Sequence, residues 1–377
     1  LPTEVEDTLV AIRELADELL KDCASEVDRA HTFPTQSMEA LARAGALGLM
    51  VPREHGGAGG GLSALAQACE AIGAACASTG MVFLMHAVTS ATIAAGGGER
   101  AEEYLQGLAT GRTIGTLAFS ERGTGAHFYA PELRAIRSNG GVRISGRKSF
   151  VTSGGHADLY LVLLQSSTGE GLDCFAIERD AEGLRFEGSW DGLGMAGNSS
   201  VAMDLQDVAV DGSAQIGQSG AGGELIFEVV APTFLVGLAA VNVGIADAAV
   251  AAATAHARER RYADGSSLAG VQVIQHTLAD VDTSVRTARL LVRDAALKGE
   301  AEAQDALVAI MEAKVHASDT AAEVTQCALE VCGGQGYTPA LPIERHLRDA
   351  RAGAIMAPTN AVLRTWIGKA LTGLPVP

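Results

Sequence analysis

GVRISGRKSFVTSGGHADLYLV, residues 141–162, is the stretch on which the reading of this chain turns. It carries the runs GVRISG and KSFVTS and opens a third, LYLVLL. Each is short, rich in β-branched or aromatic residues, and set off by glycine or aspartate, the pattern of strands rather than helices. The same texture extends outward. TIGTLAF and LRAI lie upstream; CFAI and SVAMDLQDVAV lie downstream. In the last of these, Val201, Met203 and Leu205 alternate with smaller or polar residues. Residues 113–211 therefore read as an antiparallel sheet domain, a small barrel or sandwich.

The period changes on both sides. Residues 4–112 read as helical, with Val5, Leu9, Ile12, Leu19, Cys23 and Val27 near one face of a 3.6-residue repeat. Phe33-Pro34 ends that helix, and Thr35 or Ser37 caps the next, which carries Met38, Leu41 and Leu47. EHGGAGGG, residues 54–61, has the look of a phosphate cradle. No strand precedes it and no lysine follows it, so it is expected to be a flexible interhelical loop. Residues 62–95 are alanine-rich and apolar, as in buried helices. Beyond 222 the helical period returns. No proline interrupts Thr233–Arg261. The series Val271, Ile274, Leu278, Val281, Val285, Ala288, Val292, Ala295 alternates threes and fours, the mark of a bundle helix. A second series, Leu307 to Val331, is interrupted only by Lys314. The expected architecture is α+β in three domains: helices over 1–112, a β domain over 113–218 and a helical bundle over 219–377.

Composition excludes several classes of function. The 377 residues carry a net charge of −17 and 47% hydrophobic residues. A basic footprint for nucleic acid is absent, and an anionic membrane would repel this surface. No apolar run reaches the ~18 residues of a membrane span. The six cysteines form no C-x-x-C pair and are expected to be free thiols in a reducing cytoplasm. The nine histidines show no paired metal spacing.

Four further segments carry chemistry: AFSERGTGAHF (118–128), RRYADG (260–265), GVQVIQHTLADV (270–281) and EVCGGQGYTPALPIERHLRDAR (330–351). Together with 141–162, in order and spacing from about residue 5 to 370, they resemble the acyl-CoA dehydrogenase flavoprotein family. The resemblance implies FAD bound between the β domain and a four-helix bundle. Leu117, Phe119 and Ser120 match positions that line the flavin ring. Gly125 and Ala126 match the turn that meets the pyrophosphate. Phe150 matches the aromatic that covers the ring, and Thr152 the hydroxyl near its reactive edge. Arg260 or Arg261 matches an arginine that reaches the phosphates from a second subunit, Gln272 a contact to the adenosine portion, and Gly333 and Gly334 the glycines beside the pyrophosphate. Glu330 replaces a glutamine near the adenosine phosphates. Thr359 and Ala361 fall in the turn segment on the flavin side. A homotetramer follows, with an acyl thioester of coenzyme A or acyl carrier protein as substrate, and an electron-transfer flavoprotein or O₂ as acceptor.

The departures concentrate where the acyl group would sit. Family members use a glutamate to take the α-proton. Counting forward from Arg348-Asp349 without gaps places Ala357 there, and a methyl group accepts no proton. The alternative base position, on the first long bundle helix, is Phe234. Pro232, Leu235, His127 and Ala196 also stand where polar or charged residues are usual. Three readings follow: a dehydrogenase with another base (Glu224, Glu228 or Asp247), a monooxygenase-like relative using reduced flavin and O₂, or a non-catalytic partner subunit.

Overall fold

In the computed structural model, which describes residues 1–376, six α-helices precede the first strand. They are α1 (Thr3–Leu15), α2 (Lys21–Ala30), α3 (Thr35–Arg43), α4 (Leu62–Ala75), α5 (Ala77–Gly96) and α6 (Ala101–Ala109). A π-turn, Ala16–Leu20, joins α1 to α2. That wider turn shifts the apolar stripe by one residue, so Leu20 is buried while Leu19 and Cys23 are only half-buried. The expected caps at Thr35 and Ser37 are not made. Helix α3 starts at Thr35 behind Pro34, and the Ser37 hydroxyl is buried without a partner among the described residues.

The glycine-rich loop is packed, not flexible. Ala58, Gly59 and Gly60 donate backbone hydrogen bonds to the carbonyls of Gly48, Val51 and Leu49. A side chain at Gly57 would collide with the Val51 carbonyl. The glycines serve close backbone approach rather than phosphate.

Eight strands follow: β1 (Gly115–Ala118), β2 (Ile136–Ser138), β3 (Gly141–Val151), β4 (Leu159–Gln165), β5 (Leu172–Glu178), β6 (Leu184–Glu187), β7 (Val201–Asp211) and β8 (Gln215–Ile216). They form two sheets, ordered β1-β4-β5-β8 and β2-β3-β7-β6. One pair departs from the antiparallel expectation. β1 runs parallel to β4, with Leu117 opposite Leu161. Parallel neighbours need a crossover, and here β2 and β3 of the other sheet supply it. Strand β4 explains its own unbroken apolar run. Tyr160, Val162 and Leu164 face the core between the sheets, while Leu159, Leu161 and Leu163 face the helical core. A strand covered on both faces loses the polar alternation.

The last helices are α7 (Gly222–Leu225), α8 (Ala231–Glu259), α9 (Gln272–Glu300), α10 (Ala306–Gly336), α11 (Ile343–Ile355) and α12 (Asn360–Leu371). α8 packs against α4, α5, α9, α10 and α11. Two helical stretches, Ala77–Gly96 and Gly222–Glu259, are long and apolar enough to cross a membrane, contrary to the expectation that no segment is. Both are core helices, with 78% and 83% of their apolar windows buried inside the fold. The apolar stripe of α9 is likewise used internally. Val281, Val285, Ala288, Val292 and Ala295 are buried against the same chain, so this stripe leaves little surface for another subunit.

A three-way clamp joins domains. Arg348 on α11 forms a bidentate pair with Asp28 on α2 at 2.8 and 2.6 Å. The neighbouring Asp349 accepts the Met195 N–H at 2.5 Å. Burial pushes the Asp349 carboxyl up to about 6. Gly194 lies directly on the Arg348 backbone, where a Cβ would overlap it. Gly194→Ala should therefore push the β domain off α11 and lower stability by about 1–3 kcal/mol, read as an earlier midpoint in urea unfolding; an unchanged midpoint would count against the clamp.

Candidate active site

Where the chain leaves β1 it makes a loop, residues 119–135, held shut by a buried ion pair. Lys148 Nζ, with no solvent exposure, donates to Glu121 Oε1 at 2.6 Å, to the Leu163 carbonyl at 2.6 Å and to the Phe119 carbonyl at 3.3 Å. Glu121 also accepts the backbone N–H groups of Glu132 at 2.8 Å and Leu133 at 3.1 Å. Burial pulls the lysine's pKa down, and the carboxylate opposes that shift. The pair thus ties the loop to β3 and β4. In the sequence the glutamate and lysine are only letters of two separate motifs.

The mouth of this loop has donors to spare. Leu117 and Phe119 are buried, and Ser120 is half-buried. Gly125 has φ of 55°, and a Cβ there would meet nothing within 4 Å. The N–H groups of Gly125 and Ala126 have no acceptor among the described residues. Successive free N–H groups around a left-handed residue make a small anion-binding concavity. This fits the pyrophosphate of FAD.

Phe150 sits at a bulge in β3, where register slips between Lys148 and Val151. Its φ is 53°, a strained value for an aromatic residue. The result is a ring 72% exposed, edge-on to Trp190 at 6.5 Å between centroids. Thr152, two residues on, is buried, with Oγ1 3.2 Å from the Ser200 hydroxyl, and its carbonyl accepts from Thr116. Ser153 also has positive φ, and its buried hydroxyl has no partner among the described residues.

The segment after α11 forms a turn. Ala357 is half-buried, Asn360 is buried and Ala361 is exposed. The Thr359 hydroxyl accepts the Val362 N–H at 3.3 Å and caps α12, which leaves its proton and one lone pair to offer. Beneath the turn lies Lys314, the residue that interrupted the apolar series. It is wholly buried and donates to the Pro358 carbonyl and to Asn360.

The candidate bases fare unevenly. Phe234 is half-buried against the main core, and Leu235 is fully buried there. Asp247 is already paired with Arg289 at 2.9 Å on the exposed side of α8, so it is withdrawn as a candidate. Glu224 is exposed. Glu228 lines a cleft of about 480 Å³ together with Phe227, Pro232 and Thr233. Tyr129 joins the loop to both flanking helical segments, its ring 5.4 Å from Phe227 and 5.7 Å from Trp366.

The remaining residues gather around a minor core at one end of the bundle, formed by Ala253, Ala257, Ala328, Val331 and Cys332. Arg260 and Arg261 are exposed, and the structure gives them only backbone acceptors within Arg258–Arg261. Gln272 is exposed at the start of α9. Glu330 is exposed and accepts from Gln326, its own helical neighbour. Gly333, with φ 55° and ψ −139°, breaks the helical path of α10, and nothing lies within 4 Å of a Cβ there or at Gly334. Tyr337 and Val273 stand 80% and 65% exposed nearby in sequence.

Models of the acyl-CoA dehydrogenase N-terminal, middle and C-terminal domains match residues 3–112, 116–208 and 236–372. The chain is 33% identical over 375 residues to cyclohex-1-ene-1-carbonyl-CoA dehydrogenase of Syntrophus aciditrophicus, covering 96% of this chain and 87% of that one. It is 31% identical to the short-chain specific acyl-CoA dehydrogenase of Clostridium acetobutylicum, covering 93% of each. Its fold is similar to butyryl-CoA dehydrogenase from Megasphaera elsdenii, with a TM-score of 0.92 at 28% identity over 99% of both chains. The matches span the whole chain, and the loop mouth fits an anionic cofactor: the chain belongs to the acyl-CoA dehydrogenase family and is an FAD-dependent oxidoreductase of that type, acting on a CH–CH bond.

Proposed function

We propose that the substrate is an acyl thioester of coenzyme A, and that the chain meets it without a carboxylate at either usual base position. Bound FAD supplies the hydride acceptor. Leu117, Phe119, Ser120, Phe150, Thr152 and the Thr359–Ala361 segment are assigned to the flavin, and Gly125 and Ala126 to the pyrophosphate. The observation that carries the assignment is the pair of unused N–H groups at Gly125 and Ala126 beside a loop locked by Lys148 and Glu121. Ala357 and Phe234 present apolar surface where a proton acceptor is expected. Of Glu224, Glu228 and Asp247, only the exposed Glu228 lines the cleft beside Pro232 and Thr233, which Glu300 and Glu302 also line.

Arg260, Arg261, Gln272, Glu330, Gly333 and Gly334 are assigned to the far half of FAD held by a neighbouring copy. Their outward exposure, without acceptors beyond their own segments, supports this, and a homotetramer is the assembly that follows. The sequence-derived limits 1–112, 113–218 and 219–377 are kept as the three domains, and an electron-transfer flavoprotein as the acceptor. Replacing Arg260 and Arg261 together by alanine should raise the Kd for FAD about tenfold or more, since charge-assisted bonds contribute ~1.5–3 kcal/mol each. Equilibrium dialysis with FAD and FMN checks this; equal affinity for both would remove the adenine-side assignment.

The apolar base positions favour a second reading, in which reduced flavin meets O₂ and no α-proton acceptor is needed. A third, a partner subunit that turns over only with a homologous chain, rests on the same vacancy. An anaerobic titration followed by an aerobic assay separates them. Bleaching of the flavin by a panel that includes butyryl-CoA and cyclohex-1-ene-1-carbonyl-CoA supports dehydrogenation. No bleaching, with O₂ consumption once a flavin reductase is added, supports the second. Inactivity in both supports the third.

A further inference from the structure

Lys314 lies in the first third of α10, and none of its surface reaches solvent. Its Nζ donates to the Pro358 carbonyl at 3.1 Å and to Asn360 Oδ1 at 2.8 Å. Both acceptors belong to the turn between α11 and α12. Asn360 is fixed in turn by the helix that carries the lysine, donating to Asp319 Oδ1 at 3.0 Å and to the Val315 carbonyl at 3.4 Å. Asp319 pairs with Arg364 of α12. The charged groups acting on Lys314 are thus Asp319 on its own helix and Arg364 on the helix packed against it.

This arrangement is costly. Burying an ammonium is unfavourable even after relaxation. Burial pulls the Lys314 pKa down to about 7, with Arg364 adding to the shift and Asp319 opposing it. A methionine would fill the same space in α10 at little cost, and an interhelical turn closes without a buried cation. The lysine's hydrogen bonds from Nζ go only to this turn, so the cost is set against the turn's position.

We propose that Lys314 is a positioning residue that fixes the Ala357–Asn360 turn, and with it the direction in which side chain 357 faces the substrate. The proposal rests on reading residue 357 as the proton-acceptor position. The anchored turn carries alanine at 357, so here it shapes the site as an apolar wall.

Two measurements test it. Hydrogen exchange is followed in peptides covering 356–363 of Lys314→Met and of Asn360→Leu. Both variants should exchange faster there than the parent and unchanged elsewhere. If Lys314→Met fails to fold, Asn360→Leu keeps the lysine and removes one acceptor, so the local readout survives. Unchanged exchange over 356–363 in a folded variant overturns the proposal, because the lysine would then merely fill the core. The second measurement adds Lys314→Met to a variant carrying Ala357→Glu and Pro358→Gly. Misplacement of a catalytic group by about 1 Å costs on the order of 10²-fold. The limiting rate of flavin reduction by butyryl-CoA should fall by that order, with butyryl-CoA and FAD affinities retained. An equal rate overturns the proposal. If the carboxylate variant itself binds FAD yet reduces it no faster than the parent, the reading of position 357 fails, and hydrogen exchange still decides the role of Lys314.

Discussion

With Ala357→Glu and Pro358→Gly combined, flavin reduction by at least one acyl-CoA should run on the order of 10²–10⁴-fold faster than in the parent, the usual contribution of a general base. The expectation rests on two anchors of the turn. Its C-terminal side is capped by Thr359, and its underside is held by Lys314 at the Pro358 carbonyl. A glutamate placed at the half-buried position 357 is partly desolvated, which raises its pKa toward the range of a working base. Pro358 is the obstacle to a single change, because it fixes φ and lacks the N–H that glycine provides. Each single variant is therefore the control, and the combination should exceed both. Fast anaerobic reduction by the unmodified chain would mean that a base already exists, with Glu228 the first residue to remove.

Lys148→Met should destabilise the chain by about 3–5 kcal/mol, the effect of stranding a buried carboxylate. Typical folding free energies are ~5–15 kcal/mol, so the loss should be plain in chemical unfolding. Glu121 would keep its two backbone donors but lose its counter-ion, and the Leu163 and Phe119 carbonyls would lose their donor. FAD retention should fall with it, since the same loop carries Gly125 and Ala126. Adding Glu121→Gln removes the stranded charge while its carbonyl oxygen can still accept from Glu132 and Leu133. The double variant should therefore recover part of the loss. Additive losses in that cycle would show that the two residues do not act as a pair.

Local chemistry made much of this protein legible from its sequence. The shift from a 3.6-residue period to short β-rich runs and back set out helices, sheet and bundle in their correct order, because each period reports which side of an element meets the core. Motif order along the chain identified the family and its cofactor, and a gapless count from Arg348-Asp349 singled out Ala357. What the sequence could not express were relations between distant residues. That Lys148 neutralises Glu121, or that Lys314 holds residues 358 and 360, depends on side chains 27 to 46 positions apart meeting in a low-dielectric interior. A single lysine in an apolar series reads as an interruption until its acceptors are known. The parallel pairing of β1 with β4 also needed the fold, since strand direction is decided by the crossover and not by the strand's own residues. The α9 stripe followed the same logic in reverse. Its spacing established an amphipathic helix, but whether the apolar face met its own chain or another was decided by what packed beside it, and α8 and α10 do so here. Periodicity determines that a face must be covered; only tertiary structure determines by what.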